Sequence, residues 1–260
     1  MSFNTYLNQI ASSFSTGEAV EKVPVPMTVM ILSPHPDDES IIGSLPFRLM
    51  HENGAHVINV AVTLGSDKKR KKERLQELTE ACALLDVELV TLHEDWKRKA
   101  VELKSLIQKY QPQVILAPHL KDHHPTHIKT GQLLTKALKT LVKMNVLVVW
   151  TEFWGHNPTP NVLVEVPTDI VDLQMRALEC HRGEIARNPY HLRLPAWMMD
   201  NVRRGAEIID GKGAASPDFA FGVLYKWEFY KNGKKKKLDL PVNTLNRLCD
   251  IGSLIESVII

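Results

Sequence analysis

Cysteine is scarce in this chain of 260 residues, and its placement excludes two kinds of site. The three cysteines lie far apart and form no CxxC pair. Neither a disulfide framework nor a thiolate zinc site is therefore expected. A scattered, odd-numbered set is typical of buried thiols in a reducing compartment, so the sequence predicts a cytoplasmic protein.

Long apolar runs and an excess of one charge are also missing. No segment approaches the ~20 apolar residues of a membrane helix, so no membrane span is expected. The N-terminus shows no basic region followed by an apolar run, which argues against a signal peptide. A net charge of +2 gives no reason to expect a nucleic-acid partner.

The pattern that is present alternates short Val- and Ile-rich runs with helix-like segments, which predicts βαβ units and a parallel sheet buried on both faces. The expected strands are Thr28–Leu32, His56–Val62, Glu88–Leu92, Val114–Ala117 and Val146–Thr151. The expected helices are Ser40–Asn53, Lys71–Leu85, Lys97–Tyr110 and Thr126–Met144. We predict an α/β protein with a Rossmann-like, doubly wound, mostly parallel sheet and helices on both faces. A polar leader over residues 1–26 would precede a single domain over 27–260.

Beyond Gly155 the alternation weakens. A strand is expected at Asn161–Pro167 and a helix at Asp169–Arg187, with Asp169 as its N-cap. A further helix is expected at Pro195–Ile209. The basic run Lys234–Lys237 favours a solvated turn, with a polyanion contact as the alternative.

Two polar clusters follow the first and fourth predicted strands. Residues 32–39 read LSPHPDDE, and residues 118–127 read PHLKDHHPTH. In a doubly wound sheet these two strands are the expected neighbours where the strand order reverses, and ligands bind beyond their carboxyl ends. The sequence therefore predicts that the two clusters face each other, although about 80 residues separate them.

These clusters have the residue types and spacing of a catalytic zinc site. His35 and Asp38 are spaced H-x-x-D, and His124 and His127 are spaced H-x-x-H. One carboxylate and two imidazoles suit zinc with one position left for water, and the adjacent Asp37 is the candidate base. The alternative is that the acids only cap the following helix.

The same residues resemble a known family. PHPDDE after the first strand and H-P-T-H after the fourth resemble the LmbE-like/PIG-L family of metal-dependent N-acetylglucosamine deacetylases. The pattern R-x-x-E-x-x-x-A-x-x-x-L from Arg74 to Leu85 agrees with it. So do Asp95 after the third strand and the segment Ala177–Glu184. The resemblance extends over roughly residues 27–225.

The resemblance implies a role for each matching residue. Zn²⁺, or another divalent transition metal, would be bound by His35, Asp38 and His127. Asp37 would be the general base that activates the water held by the metal. His124 would stabilise the oxyanion and protonate the leaving amine. The residues expected to contact substrate are Arg74, Asp95 and His181.

The chain departs from the family pattern at three places. Leu85-Asp86 replaces a Leu-Gly, Gly183-Glu184 replaces a Ser-Gln, and Gln174 replaces a Lys. The last two lie in a segment that shapes the rim of the pocket, so they bear on substrate identity.

Thr151–Asn157 contains aromatics that would stack on a sugar or form a lid on the core. The turn at Arg187–Tyr190 is a second candidate for facing the cleft.

The expected activity is hydrolysis of the N-acetyl group of an amino sugar or a glucosaminide conjugate, and the expected partner is a small N-acetylated sugar. Members of the family often form oligomers, so a homo-oligomer is also considered. The alternatives are an amidase acting on a thiol-sugar conjugate, a non-catalytic sugar-binding module and a non-haem iron oxygenase. A dinucleotide-binding protein is disfavoured, because the first turn lacks G-x-G-x-x-G and its acids would repel a pyrophosphate.

Overall fold

The structure is a computed structural model that describes residues 3–14 and 22–260. The predicted leader falls partly outside the described residues, at 1–2 and 15–21. The strands are β1 (Thr28–Ser33), β2 (His56–Ala61), β3 (Glu88–Thr91), β4 (Val114–Pro118), β5 (Asn145–Thr151), β6 (Val162–Glu165), β7 (Gly222–Lys231), β8 (Lys234–Lys236) and β9 (Thr244–Leu245). The helices are α1 (Phe3–Ala11), α2 (Asp38–Ile42), α3 (Ser44–Asn53), α4 (Lys71–Leu84), α5 (Trp96–Tyr110), α6 (Pro125–Leu138), α7 (Thr168–Cys180), α8 (Arg182–Arg187), α9 (Leu194–Asp210) and α10 (Ile251–Ile259), with a 3₁₀ turn at Tyr190–Leu192.

The strands of the described chain form one sheet in the order β3-β2-β1-β4-β5-β7-β6-β9, with β8 added to β7. Neighbours from β3 to β5 are parallel, whereas β7 runs antiparallel between β5 and β6. Val29 of β1 pairs with Val57 on one side and with Val114 on the other. The predicted Rossmann-like, mostly parallel sheet is therefore confirmed, and so is the adjacency of the first and fourth strands.

Both faces of the central strands are covered by apolar side chains. In β1, Val29 and Ile31 belong to one hydrophobic cluster, and Met30 and Leu32 belong to another on the opposite face. All four are fully buried. Since each such side chain contributes about 1.5–3 kcal/mol on burial, the strand that carries the first polar loop is firmly anchored.

Two long helices are interrupted where the sequence predicts continuity. The segment predicted as Ser40–Asn53 breaks at Gly43, where a Cβ atom would lie 2.6 Å from the Glu39 carbonyl oxygen. The segment predicted as Asp169–Arg187 breaks at His181, whose backbone leaves the helical region at ψ 59°. Asp169 is not the N-cap as predicted, because Pro167 occupies that position and Asp169 lies in the first turn.

Helix α6 also ends earlier than predicted. It stops at Leu138 rather than at Met144, and the chain then turns through Lys143, which has a left-handed φ of 66°. The turn delivers the chain to β5. The apolar residues continue at helical spacing beyond Leu138 because Leu141 and Met144, which lie in the connecting loop, are also buried.

The two ends of the described chain pack on the core. Leu7 of α1 is fully buried and belongs to the same apolar cluster as β1, as does Ile255 of α10. The run Lys234–Lys237 begins with strand β8, which the sequence did not predict, and its lysine side chains are exposed as expected. In residues 3–14 and 22–260, none of the helices has the length and apolarity needed to cross a bilayer.

Candidate metal centre

The first polar cluster forms a tight loop between β1 and α2. The backbone N–H of His35 donates to Asp38 Oδ2 at 2.8 Å, and the ring Nδ1 of His35 lies 3.4 Å from the same oxygen. Asp38 is buried, whereas His35 is half-buried at the mouth of the loop. The chain folds this way because the apolar strand ends at Ser33 and the helix begins at Asp38, which leaves four residues to reverse direction.

The second polar cluster meets the first at the carboxyl end of β4. His124 is the N-cap of α6, and His127 lies in its first turn. The Nε2 atom of His127 is 3.5 Å from Asp38 Oδ2. The ring centroids of His35 and His124 are 4.8 Å apart, and those of His35 and His127 are 5.3 Å apart. The structure therefore brings together the four residues that the two motifs supplied.

This donor set fits a divalent cation. Ligand atoms about 2.1 Å from a tetrahedral zinc lie about 3.4 Å from one another. Asp38 Oδ2 lies 3.4 Å from His35 Nδ1 and 3.5 Å from His127 Nε2, close to that spacing. Two of the three separations are therefore those expected between ligands of one ion, with the carboxylate between two imidazoles.

A second set of three donors shares two of these residues. One ligand atom from each of His35, His124 and His127 lies within 4.8 Å of the other two. The two sets differ only in whether Asp38 or His124 is the third ligand. The contacts of Asp38 with His35 and His127 are compatible with the set of His35, Asp38 and His127, which stays a prediction.

The buried Asp122 supports this site and was not singled out from the sequence. Its Oδ2 lies 3.3 Å from Nδ1 of His127, and its Oδ1 accepts the backbone N–H of His124 at 2.8 Å. Such a carboxylate fixes the tautomer of a histidine ligand and presents the other ring nitrogen to the metal. The signal was present as D-x-H in KDHHPTH, since Asp often accepts from the backbone two residues ahead.

Asp37 takes no part in capping α2, although it occupies the N-cap position. Its φ is 114°, and its side chain makes no hydrogen bond to the start of the helix. Instead Oδ2 accepts the hydroxyl of Tyr190 at 2.6 Å and lies 3.8 Å from Nη2 of Arg74. A non-glycine residue at this φ costs about 1–3 kcal/mol, so the surrounding contacts must hold it in place. The capping alternative does not describe this residue.

The pKa values of the two adjacent carboxyls are shifted in opposite directions. Burial raises the pKa of Asp37 to about 8, and the negative charge of Asp38 adds to the rise. Burial also raises the pKa of Asp38, but the charge of His127 and the hydrogen bond from His35 outweigh it and bring the pKa to about 2. A pair of carboxyls with separated pKa values is typical of a site with one proton carrier and one permanent anion.

Glu39 braces the loop. Its Oε2 accepts the backbone N–H of Asp37 at 2.9 Å, and its Oε1 lies 2.8 Å from Nε2 of His181. Both side chains are fully buried. The strained backbone of Asp37 is therefore held by its hydrogen bond to Glu39, which forms a buried ion pair with His181.

His124 presents a defined ring nitrogen. Its Nδ1 accepts the backbone N–H of Thr126 at 3.3 Å, which assigns the proton of the neutral ring to Nε2. Burial lowers the pKa of His124, and the neighbouring charges of His35 and His127 lower it further. These shifts favour the neutral ring of His124, which has Nε2 as its hydrogen-bond donor at the edge of the site.

The structure treats the three predicted substrate contacts differently. Arg74 lies at the site, where Nη2 donates to the Pro36 carbonyl at 2.9 Å. Asp95 is the N-cap of α5, and its side chain accepts from two backbone N–H groups. His181 is fully buried beneath Asp37 and does not reach the surface of the site. Substrate contact by Asp95 stays a prediction.

Glu184, at the departure from the family pattern, lies among arginines. Its Oε1 accepts from Nη1 of Arg70 at 2.7 Å and lies 3.7 Å from Nη1 of Arg74. Its Oε2 accepts from Arg187 at 2.5 Å. The carboxylate thus pairs with Nη1 of Arg74, whereas Asp37 lies near Nη2, a contact that the sequence pattern did not indicate.

Comparison with known proteins agrees with these motifs. The model of the PIG-L family, described as GlcNAc-PI de-N-acetylase, matches residues 30–138. The match includes both polar clusters and ends before the later elements of the resemblance. Over 184 residues the chain is 23% identical to a probable N-acetyl-α-D-glucosaminyl L-malate deacetylase 2 of Bacillus cereus, and the alignment covers 60% of this chain and 83% of that protein.

Solved structures share the fold. The N,N′-diacetylchitobiose deacetylase of Pyrococcus horikoshii aligns with a TM-score of 0.60 at 20% identity, over 80% of this chain and 84% of that one. GalB, the 4-carboxy-2-hydroxymuconate hydratase of Pseudomonas putida, aligns with a TM-score of 0.62 at 17% identity, over 82% of this chain and all of that one. At such identities the likeness concerns the fold.

Proposed function

Because the model of the PIG-L family matches residues 30–138, we propose that this chain is a metal-dependent hydrolase that removes an N-acetyl group from an amino sugar or a glucosaminide conjugate. The observation that carries the proposal is that HPDDE and HPTH meet at one point. There the pKa of Asp37 is raised, whereas the pKa of the adjacent Asp38 is lowered. The family match and the Bacillus relative, a probable deacetylase of an N-acetylglucosaminyl compound, support the acetyl group and the sugar.

His35, Asp38 and His127 would hold the metal, and Asp122 would orient His127. The donor set of two imidazoles and a carboxylate suits Zn²⁺. A bound cation of this kind polarises a carbonyl oxygen and lowers the pKa of water towards neutrality. The chain needs such help because an amide is a weak electrophile.

The protein's own groups account for the proton transfers. Asp37 accepts a proton from water as the water oxygen forms its bond to the acetyl carbon. His124 donates a hydrogen bond through Nε2 to the carbonyl oxygen that gains negative charge. When the C–N bond breaks, Asp37 returns its proton to the amine nitrogen, and acetate and the free amine leave. The raised pKa of Asp37 favours its holding the proton between the two steps.

The assignment of the amine proton to Asp37 differs from the role that the resemblance implied for His124. Burial and the charges of His35 and His127 lower the pKa of His124, which favours the neutral ring, and a neutral ring is a poor acid. Asp37 has received a proton in the preceding step, so no further source is needed. His124 keeps the role of oxyanion donor.

The fold alone does not separate this activity from its rivals, since GalB, a hydratase, has the same architecture. The amidase acting on a thiol-sugar conjugate would use the same metal and base and would differ only at the rim. A non-catalytic sugar-binding module would need neither a base nor its supporting contacts. The buried pair beneath Asp37 therefore favours catalysis.

The experiment that tests the proposal measures metal content and acetate release from N-acetylglucosamine and its short oligomers. Asp37→Asn keeps the shape of the side chain and should retain the metal while kcat falls by about 10²- to 10⁴-fold. Asp239→Asn is the matched control, because Asp239 is exposed and pairs with Lys237 after strand β8. It should leave both quantities unchanged.

Two more variants decide the ligand set. Asp38→Ala should lose the metal, whereas His124→Ala should keep it and lose activity. The reverse result would make His124 the third ligand. A wild-type protein that binds no divalent metal, or that releases no acetate from any sugar tested when loaded, would refute the proposed function.

A further inference from the structure

Tyr190 lies in the 3₁₀ turn that follows α8, 153 residues from the residue it contacts. Its hydroxyl donates to Asp37 Oδ2 at 2.6 Å, and the whole residue is 3% exposed. Burial raises the pKa of Tyr190, and the charge of Asp37 raises it further, so the hydroxyl keeps its proton and remains a donor. The contact is thus a fixed hydrogen bond to the proposed base.

The two polar contacts to the Asp37 carboxylate fall on the same oxygen. Tyr190 and Arg74 both approach Oδ2, at 2.6 and 3.8 Å. These contacts leave Oδ1 as the oxygen that takes a proton. The backbone of Asp37, strained at φ 114°, is fixed by Glu39, and its carboxylate is fixed by Tyr190. Loss of the hydroxyl would let it rotate about its side-chain bonds.

Tyr190 is in turn packed against an aromatic side chain that reaches solvent. The ring of Trp154 lies edge-on to it, with the centroids 5.8 Å apart, and Trp154 is 46% exposed. Phe153 packs against Trp154 at 4.9 Å and lies beside Asp38 and His127 in the wall of the site. An exposed indole beside the proposed site offers an apolar face to a pyranose ring.

We propose that Tyr190 is a positioning residue that fixes the Asp37 carboxylate for proton transfer, and that Trp154, packed against it, is the surface on which the sugar ring of the substrate stacks. This inference rests on the proposed function, since it concerns the same base and the same class of substrate. It assigns separate tasks to two touching residues. Trp154 contributes to binding, and Tyr190 contributes to the chemical step.

The test compares kcat and KM for acetate release by metal-loaded variants. Tyr190→Phe keeps the ring and its contact with Trp154 and removes only the hydroxyl. It should lower kcat roughly 10- to 100-fold, the effect of a displaced catalytic group, with KM and metal content unchanged. Trp154→Ala should raise KM about 10-fold or more and leave kcat within a factor of about three.

Tyr225→Phe is the control for the loss of a buried hydroxyl. Tyr225 is fully buried in β7, and its oxygen accepts the backbone N–H of Leu45, away from Asp37. This variant should lose stability without the drop in kcat. An equal drop in Tyr225→Phe would make the effect of Tyr190 structural and would overturn its positioning role.

A binding measurement separates this inference from the proposed function. In the Asp37→Asn protein, N-acetylglucosamine should quench tryptophan fluorescence, and Trp154→Phe should diminish that quenching. Acetate release by the wild type with no quenching due to Trp154, or with an unchanged kcat in Tyr190→Phe, would overturn the inference and leave the function standing. An inactive wild type would overturn both.

Discussion

Nε2 of His181 lies 2.8 Å from Oε1 of Glu39, and the two side chains are fully buried. A carboxylate only accepts hydrogen bonds, so the imidazole donates. The other oxygen of Glu39 accepts the N–H of Asp37. The pair is therefore continuous with the backbone of the proposed base, which gives His181 a structural task in place of the substrate contact that the sequence suggested.

Removal of His181 should destabilise the protein strongly. In His181→Ala the carboxylate of Glu39 stays buried without its charged partner, which should cost about 3–5 kcal/mol in the free energy of unfolding. Urea unfolding of the metal-free protein measures this loss. His56→Ala is the control, since His56 pairs with Glu88 at the exposed surface and should cost about 0–1 kcal/mol. Equal losses in the two variants would contradict the role of the buried pair.

The difference between wild type and His181→Ala should depend on pH. Burial alone would raise the pKa of Glu39, but His181 lowers it below 4.5, so this part of the stability is lost as the pH falls. Burial alone would lower the pKa of His181, but Glu39 raises it above 6.5. The stability that comes from the raised pKa of His181 is complete below pH 6.5. It is lost as the pH rises through the pKa of His181 in the folded protein. Unfolding measured from pH 4 to 9 should show the largest difference between about 4.5 and 6.5.

Asp122 should control metal affinity without binding the metal. In Asp122→Ala, Nδ1 of His127 loses the carboxylate that fixes its tautomer, and the affinity for zinc should fall about 10- to 100-fold. Competition with a chelating dye measures the change. Asp239→Ala removes the same charge from an exposed pair with Lys237 and should leave the affinity unchanged. An unaltered affinity in Asp122→Ala would show that His127 is oriented by other contacts.

Gly131 should be needed for the approach of α6 to β4. A Cβ atom at this position would lie 2.7 Å from the Pro118 carbonyl oxygen, a backbone atom that no rotamer change can move. Gly131→Ala should therefore lower the free energy of unfolding by about 1–3 kcal/mol, although alanine favours helices. Zinc affinity should fall as well, because His127 lies one helical turn earlier. The exposed neighbour Gln132→Ala is the control, and a Gly131→Ala variant as stable as this control would refute the argument.

The order of the strands and the meeting of the two polar motifs followed from local signals. Each of the first five predicted strands agrees with the structure to within one residue at either end. Short apolar runs between polar turns leave little choice of where a strand begins and ends. Two dense polar motifs after apolar strands indicated His35, Asp38, His124 and His127. The doubly wound pattern was sufficient to predict that they meet.

The second half of the fold could not be derived in the same way. β7 inserts antiparallel between β5 and β6, and the break at His181 turns a continuous apolar stripe into two helices. No periodicity encodes either feature, since each depends on which distant surface the segment packs against. The early end of α6 has the same origin, because loop residues after it fill the core.

The sequence by itself determined which side chains could bind a metal, because ligands for one ion cluster at the ends of neighbouring strands. Only the tertiary structure decided which groups support them. Tyr190 reaches Asp37 across 153 residues, and His181 reaches Glu39 across 142. Such contacts arise from the path of the chain around the sheet. They depend on burial and distance, which a linear pattern of residue types does not contain.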